Sequence, residues 1–206
     1  MIEVAGIAIF ALTGAIVAAR KGMDPFGFVL LATVTGVGGG TLRDLLLDRP
    51  VFWVVVPTDV VVCIGVALAA WTLAYTRPGM LEGWAGKRLL IWADAAGMAL
   101  FAVAGTLKAL ASGAPLLSAV ALGAMTGTFG GILRDILAGE RPMVLWSRDF
   151  YVTAAAAGAA ATALLAHLGL APMLVTLGGI AAAFGLLAGS LLLGWRFPAL
   201  PGSGNG

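Results

Sequence analysis

Seven long apolar stretches run through the chain, with only short connections between them. The hydrocarbon core of a bilayer is about 30 Å thick and needs about 20 apolar residues per helix. Stretches of this length predict seven transmembrane helices. Transmembrane strands would instead alternate apolar and polar side chains, and residues 154–166 do not alternate. The predicted spans are residues 2–19, 26–47, 51–76, 88–111, 115–137, 150–168 and 171–194.

The composition agrees with a membrane protein. The 206 residues are 61% hydrophobic and 11% charged, whereas a soluble domain is about 45–50% apolar and about 25% charged. So few charges cannot cover a globular surface, which excludes a soluble enzyme, a disulfide scaffold and a disordered chain. The sequence has no basic run with interleaved aromatic residues, so no nucleic-acid partner is expected. The single cysteine, Cys63, lies in an apolar run and predicts a packed or lipid-facing thiol.

The basic residues predict the orientation of the chain. Lys and Arg favour cytoplasmic connections, and they are concentrated on one side of the predicted spans. The odd-numbered connections and the C-terminus hold nine of them, whereas the even-numbered connections hold three, namely Arg43, Arg49 and Lys108. We therefore expect a multi-pass protein of the cell (inner) membrane, with the N-terminus outside and the C-terminus in the cytoplasm.

The chain contains an internal repeat with an offset of 91 residues. Residues 36–44 read GVGGGTLRD and residues 127–135 read GTFGGILRD. The same offset pairs residues 10–14 (FALTG) with residues 101–105 (FAVAG), and Glu3 with Asp94. Composition bias alone would give scattered matches, so we interpret this pattern as a duplication.

Each repeat holds three predicted spans, so the second copy enters the membrane from the opposite side. The fold class we expect is all-α, with two inverted three-helix repeats and a seventh helix. Inverted repeats are typical of transport proteins and place a pathway at the repeat interface. The predicted units are residues 1–86 and 87–168 for the repeats, 169–197 for the seventh helix, and 198–206 for a disordered tail.

Glycines interrupt the second and fifth predicted spans. These are Gly38, Gly39 and Gly40 in the first copy, and Gly130 and Gly131 in the second. Each glycine costs about 1 kcal/mol against alanine inside a helix, so both helices are expected to kink or unwind there. Freed carbonyl oxygens beside water are suitable ligands for a monovalent cation. Close helix packing is the alternative explanation, because small residues are common at membrane helix interfaces.

Other residues near these glycines are candidate pore residues. Thr35, Thr126 and Thr128 could add hydroxyl ligands, and the aromatic residues Phe10 and Phe101 occupy equivalent positions in the two repeats.

Charged residues follow both glycine clusters. Arg43 and Asp44 end the first motif, and Arg134 and Asp135 end the second. Charges at membrane depth are costly and usually face the protein interior, so we expect a charged vestibule or a lipid-headgroup contact. The alternative is a snorkelling arginine paired with its neighbouring aspartate. Lys108 is a further candidate for lipid contact or for gating a vestibule.

The sequence lacks the motifs of the common catalytic and metal sites. It has no HExxH, no GxSxG and no Cys/His cluster. We therefore expect no catalytic residues, no metal site and no cofactor, and the protein is not expected to be an enzyme.

The duplicated Gly-Gly-x-x-Arg-Asp motif, the two three-span units and the extra helix resemble the prokaryotic trimeric intracellular cation (TRIC) channel family. The resemblance covers nearly the whole chain. It implies a homotrimer in which each subunit has its own pore, permeable to K⁺ and less so to Na⁺, with the second and fifth helices kinked around it. It also implies a bound lipid, since animal members bind a phosphoinositide. A secondary transporter of a small solute such as glycine fits the same inverted repeat, and the sequence does not separate the two functions.

Overall fold

The structure, a computed structural model, describes residues 2–146 and 149–195. These residues form nine α-helices and no strand. Six of the helices are long and apolar enough to cross a membrane, and a seventh, Tyr151–His167, is apolar but shorter. The chain is therefore a multi-pass helical membrane protein. The helices are α1 (Ile2–Arg20), α2 (Pro25–Leu46), α3 (Phe52–Val55), α4 (Thr58–Thr76), α5 (Trp84–Ala111), α6 (Leu116–Leu137), α7 (Met143–Trp146), α8 (Tyr151–His167) and α9 (Pro172–Leu193).

Three helices differ from the predicted spans. The third span is divided into a one-turn helix, α3, and a long helix, α4, because Pro57 lies between them. Proline cannot donate a backbone hydrogen bond and disfavours a helical residue before it. The fourth span begins earlier than predicted, at Trp84, so the predicted boundary between residues 86 and 87 falls inside α5. The predicted tail, residues 198–206, lies outside the described residues.

Four helices form the centre of the molecule. Helices α1 and α5 pack against each other, α1 packs on α2, α5 packs on α6, and α2 and α6 cross. Helix α4 covers α1 and α2, and α8 covers α5 and α6. Helix α9 packs on α8 and α5. The central helices α1 and α5 are mostly buried, whereas α4 and α9 expose most of their apolar surface, as expected of helices that face lipid or another subunit.

Local sequence explains how several helices begin and end. Asp24 precedes α2, and its side chain accepts a hydrogen bond from the backbone N–H of Gly27 at 2.7 Å. Pro25 follows at the first helical position, where its missing N–H costs nothing. At the other end of the chain, Gly194 ends α9 in the left-handed conformation, with φ of 70°, which glycine adopts without steric cost.

Candidate functional site

A buried ion-pair network surrounds Arg134 near the C-terminal end of α6. Its Nε donates to Asp135 Oδ1 at 2.8 Å, and its Nη1 donates to Asp94 Oδ1 at 2.5 Å and to Thr13 Oγ1 at 3.1 Å. The hydroxyl of Tyr151 donates to the second oxygen of Asp94. Arg134 is 1% exposed and Asp94 is fully buried. This arginine is therefore paired across helices and does not snorkel.

Arg43 in α2 has the same local pair but a more open surrounding. Its Nε donates to Asp44 Oδ1 at 2.9 Å, and its Nη1 lies 3.5 Å from Glu3 Oε1. Lys108 Nζ reaches the same Glu3 oxygen at 2.8 Å. The side chains of Lys108 and Glu3 are 35% and 34% exposed. The face of the Phe52 ring is turned toward both cations. Its centroid lies 5.9 Å from the Arg43 guanidinium carbon and 5.0 Å from Lys108 Nζ.

The aspartate of each motif also fixes the start of the next short helix. Asp44 Oδ2 accepts from the Phe52 N–H of α3 at 3.0 Å, and Asp135 Oδ2 accepts from the Met143 N–H of α7 at 2.9 Å. The first N–H groups of a helix have no partner within it, so the carboxylate satisfies one of them. One oxygen of each aspartate thus holds the arginine and the other holds the chain that follows.

Two of the motif glycines lie where α2 and α6 cross. A Cβ added at Gly39 would collide with the carbonyl oxygen of Thr126, and one added at Gly130 would collide with the carbonyl oxygen of Thr35. Both helices are continuous through their glycines, so the expected unwinding is not observed. The glycines let two backbones approach closely, as the packing alternative requires.

The remaining motif glycines have different neighbours. A Cβ at Gly38 would meet Leu133, and one at Gly40 would lie 2.6 Å from Phe52 Cε1. At Gly131 the nearest atom would be Arg134 Nη2 at 3.6 Å, an ordinary contact distance. Gly131 is therefore not required by packing in this arrangement.

The two repeat phenylalanines meet at the centre of the molecule. The rings of Phe10 and Phe101 are 5.2 Å apart and tilted by 43°. Each ring also lies over a glycine of the opposite helix, because a Cβ at Gly97 would be 2.5 Å from Phe10 Cδ1 and one at Gly6 would be 3.4 Å from Phe101 Cε1. The aromatic pair therefore joins α1 to α5.

The three predicted threonines bond to their own helices. The hydroxyls of Thr35, Thr126 and Thr128 donate to the carbonyl oxygens four residues earlier, at 2.5, 2.6 and 2.9 Å. A hydroxyl that donates in this way keeps lone pairs on its oxygen. These oxygens are therefore available as acceptors or cation ligands, although all three residues are buried.

Cavities open at the Arg43 end of the molecule. One of about 430 Å³ is lined by Glu3, Asp59, Lys108 and Phe52, among others. A neighbouring one of about 330 Å³ is lined by Asp44, Arg49 and Ser112, with Lys108 and Phe52 again in its wall. The Arg49 guanidinium donates to the Ser112 hydroxyl at 2.7 Å. These spaces would accommodate hydrated ions or a lipid headgroup.

Sequence reasoning missed two members of the Arg134 network. Asp94 was marked by its repeat equivalence to Glu3, but its partner Tyr151 lies outside every motif that the repeat marks. Thr13 lies inside the repeated FALTG segment, where Ala104 is its counterpart. No local signal distinguishes these residues.

The fold and the site together define a multi-pass helical membrane protein with two matching arginine–aspartate networks. The chain matches the family model described as "Glycine transporter" over residues 1–75 and 91–167. It is 43% identical over 158 residues to the inner membrane protein YadS of Escherichia coli K12, covering 76% of this chain and 73% of that protein. It is also 37% identical over 163 residues to the membrane protein YvgT of Bacillus subtilis 168, covering 77% and 76%.

Solved structures make the assignment more specific. The fold superimposes on the TRIC trimeric intracellular cation channel orthologue from Rhodobacter sphaeroides with a TM-score of 0.87, at 48% identity over 94% of this chain and 97% of that one. A second structure, described in a study of conductance through TRIC cation channels, matches with a TM-score of 0.83 at 30% identity, over 97% of this chain and 95% of that one. The chain belongs to the TRIC channel family. These neighbours are channels and not enzymes, and the similarity supports a cation channel.

Proposed function

We propose that the protein is a potassium-permeable cation channel with a pore inside each subunit, between the Arg43 and Arg134 networks. The observation that carries this proposal is the recurrence of one arrangement around a buried arginine at the ends of two crossing helices. Each arrangement has an arginine, its neighbouring aspartate and a carboxylate from α1 or α5. Charges at membrane depth are costly and commonly mark an ion pathway.

An inverted repeat explains why the arrangement occurs twice. The two segments matched by the family model begin 90 residues apart, close to the 91-residue offset of the motifs. The contacts also recur in pairs, because Gly39 faces the Thr126 carbonyl as Gly130 faces the Thr35 carbonyl. In an inverted arrangement the Arg43 network lies toward the outer face and the Arg134 network toward the cytoplasm. The excess of basic residues on the predicted cytoplasmic side supports this orientation.

The charge balance differs between the two ends. In their ionised forms, Glu3, Asp44 and Asp59 equal Arg43, Arg49 and Lys108 in number at the wide end. At the other end, Asp94 and Asp135 outnumber Arg134. The Arg134 end therefore carries one excess negative charge, which raises the local concentration of cations.

Side chains are partly exposed to solvent at the Arg43 end but buried at the Arg134 end, which supports a conformation that is closed at the Arg134 end. At the Arg43 end, the side chains of Glu3 and Lys108 are about one-third exposed and border cavities. At the Arg134 end, the arginine, Asp94 and Tyr151 are buried and bonded to one another. In the proposed channel this second network closes the pathway, and opening separates α8 from α5.

The region between the networks would set the constriction. Glycine backbones and the Thr35, Thr126 and Thr128 oxygens are the polar groups available there to replace part of the water around a K⁺ ion. Bending of α2 and α6 at Gly38–Gly40 and Gly130–Gly131 would widen the path past Phe10 and Phe101. We further propose a homotrimer in the inner membrane, with lipid contacts at Lys108 and Arg49.

Single-channel recording tests the proposal. Purified protein in a planar bilayer with asymmetric KCl is expected to give discrete current steps that reverse near the potassium equilibrium potential. The double variant Glu3→Gln, Asp59→Asn removes two negative charges from the wide mouth, so its reversal potential should move toward that of chloride. The matched control Lys21→Gln removes half of an exposed ion pair with Glu140 and should leave the reversal potential unchanged. An unchanged reversal potential in the double variant would exclude this mouth.

Glycine transport is the second candidate, because the matching family model is described as a glycine transporter. A transporter would accumulate labelled glycine in proteoliposomes with a fixed coupling to an ion gradient. It would give no current steps. Absence of steps from folded protein together with gradient-driven glycine uptake would replace the channel with the transporter.

A further inference from the structure

Ser190, near the end of α9, is buried although its helix faces outward. It is 1% exposed, whereas Leu192 and Leu193 nearby are largely exposed. Its hydroxyl accepts a hydrogen bond from the Phe150 N–H at 3.2 Å and donates one to the Trp195 carbonyl at 2.7 Å. A buried hydroxyl needs such partners, and here they join the end of α9 to the start of α8.

The end of α9 folds back in a way that fixes this serine. Gly194 has a φ of 70°, which turns the chain so that the Trp195 carbonyl faces the Ser190 hydroxyl. The Trp195 ring then lies against Gly189, where an added Cβ would be 3.0 Å from Cζ3 of the ring. Because the hydroxyl donates to Trp195, its lone pairs face the Phe150 N–H.

The hydrogen bond between Ser190 and the Phe150 N–H is connected to the Arg134 network through Tyr151. Phe150 directly precedes Tyr151, whose hydroxyl donates to Asp94, the carboxylate that pairs with Arg134. The N–H groups at the start of a helix have no partners within it, so Ser190 supplies one that α8 cannot. The position of the first turn of α8, and with it the Tyr151 ring, therefore depends on α9.

Helix α9 touches both sides of the Tyr151–Asp94 bond. Leu187 of α9 and Tyr151 share the wall of a cavity of about 50 Å³, which leaves the tyrosine ring room to shift. Phe184 of α9 lies 6.0 Å from the Trp92 ring of α5, two residues before Asp94. Helix α9, which lies outside the two repeats, therefore contacts both α5 and α8, the helices that would separate when the channel opens.

We infer that Ser190 is a positioning residue through which α9 holds Tyr151 on Asp94 and so stabilises the closed arrangement at the Arg134 end. The inference deepens the proposed channel function and rests on it. Loss of one buried neutral hydrogen bond changes a two-state equilibrium about fivefold. The variant Ser190→Ala is therefore expected to raise the ratio of open to closed time about fivefold without changing the current of a single open channel.

Tyr151 itself provides a readout that does not depend on current. The chain has two tyrosines, and Tyr75 is exposed, so protein with Tyr75→Phe and ¹³Cζ-labelled tyrosine gives one resonance, from Tyr151. The Ser190→Ala variant should shift this resonance, because the tyrosine hydroxyl loses its fixed partner. The matched control Ser118→Ala removes an exposed serine from another membrane helix, α6, and should not shift it. An unshifted resonance in Ser190→Ala overturns the inference.

Bilayer recording completes the test. If Ser190 acts through Tyr151, the effects of Ser190→Ala and Tyr151→Phe on the open-to-closed ratio are less than additive in the double variant, and Ser190→Thr retains the wild-type ratio. Additive effects, or an unchanged ratio, contradict the inference even if thermal stability falls.

Should Ser190→Ala not fold, Ser190→Cys keeps the size with a weaker acceptor and should give an intermediate shift. Silence of the wild-type protein instead contradicts the channel function, and the resonance still decides whether Ser190 positions Tyr151.

Discussion

Arg43 and Arg134 occupy equivalent positions but are held by carboxylates in different surroundings. The partner of Arg134, Asp94, is fully buried, and both of its oxygens are hydrogen-bonded. The partner of Arg43, Glu3, is one-third exposed and shared with Lys108. Replacing Asp94 leaves Arg134 paired with Asp135 but weakens two buried hydrogen bonds, whereas an exposed pair contributes little because water screens it.

We therefore predict that Asp94→Asn destabilises the protein far more than Glu3→Gln. The expected loss is about 1.5–3 kcal/mol for the buried bond of Asp94 to charged Arg134 and about 0–1 kcal/mol for the exposed pair. Unfolding of both variants in the same detergent, followed by circular dichroism, measures the difference. Equal losses would mean that the two ends are equally accessible to solvent, contrary to the burial described above.

The sequence predicts the arginines and aspartates of the site, but only part of their pairing. The repeat marks Arg43, Asp44, Arg134, Asp135 and the equivalence of Glu3 and Asp94, because duplication preserves residue type and spacing. Tyr151, Thr13 and Ser190 have no such mark. Their roles depend on how α8, α1 and α9 are placed in three dimensions, which local spacing does not specify.

At the scale of helices, the crossing of α2 and α6 determines the geometry of the centre. At Gly39 and Gly130, atoms of the opposite backbone occupy the space of a Cβ, and backbone atoms cannot rotate away as a side chain can. A Cβ added at Gly131 would lie at an ordinary contact distance from its nearest neighbour. Gly130 and Gly131 are neighbours in one motif, but only Gly131 leaves room for an alanine.

We predict that Gly39→Ala and Gly130→Ala each destabilise the protein by about 1–3 kcal/mol, the usual cost of overpacking. Gly131→Ala, the matched control, should be neutral or stabilising by up to about 1 kcal/mol, because alanine restricts the unfolded chain. Thermal unfolding of the three variants, with current recordings from each, gives the comparison. A tolerated Gly39→Ala would show that the helices separate at no cost.

The helices themselves are largely predictable, and their breaks are less so. Apolar length alone identifies all seven long elements, because lipid requires every backbone group to be bonded internally. The one-turn helices α3 and α7 were not predicted as separate elements. Each depends on the second oxygen of an aspartate eight residues earlier, a tertiary contact that a hydropathy pattern does not contain.

At the scale of the whole molecule, the two repeats are linked by a contact at each end. Arg49, after α2, bonds to Ser112 at the end of α5, and Lys21, at the end of α1, pairs with Glu140 after α6 at 3.0 Å. Lys21 and Ser112 are 91 residues apart and therefore equivalent. If the repeats are inverted, these equivalent positions lie on opposite faces of the membrane.

Cysteine labelling tests this inversion directly. The native Cys63 is buried, and Cys63→Ala gives a background for the single variants Lys21→Cys and Ser112→Cys. In intact bacterial cells, a membrane-impermeant maleimide should label the Ser112→Cys protein and should label the Lys21→Cys protein only after the cells are permeabilised. Labelling of both from the same side would exclude inverted repeats. Reversal of the two results would keep the inversion and reverse the predicted orientation, so the Arg134 network would then close the channel on the outer face.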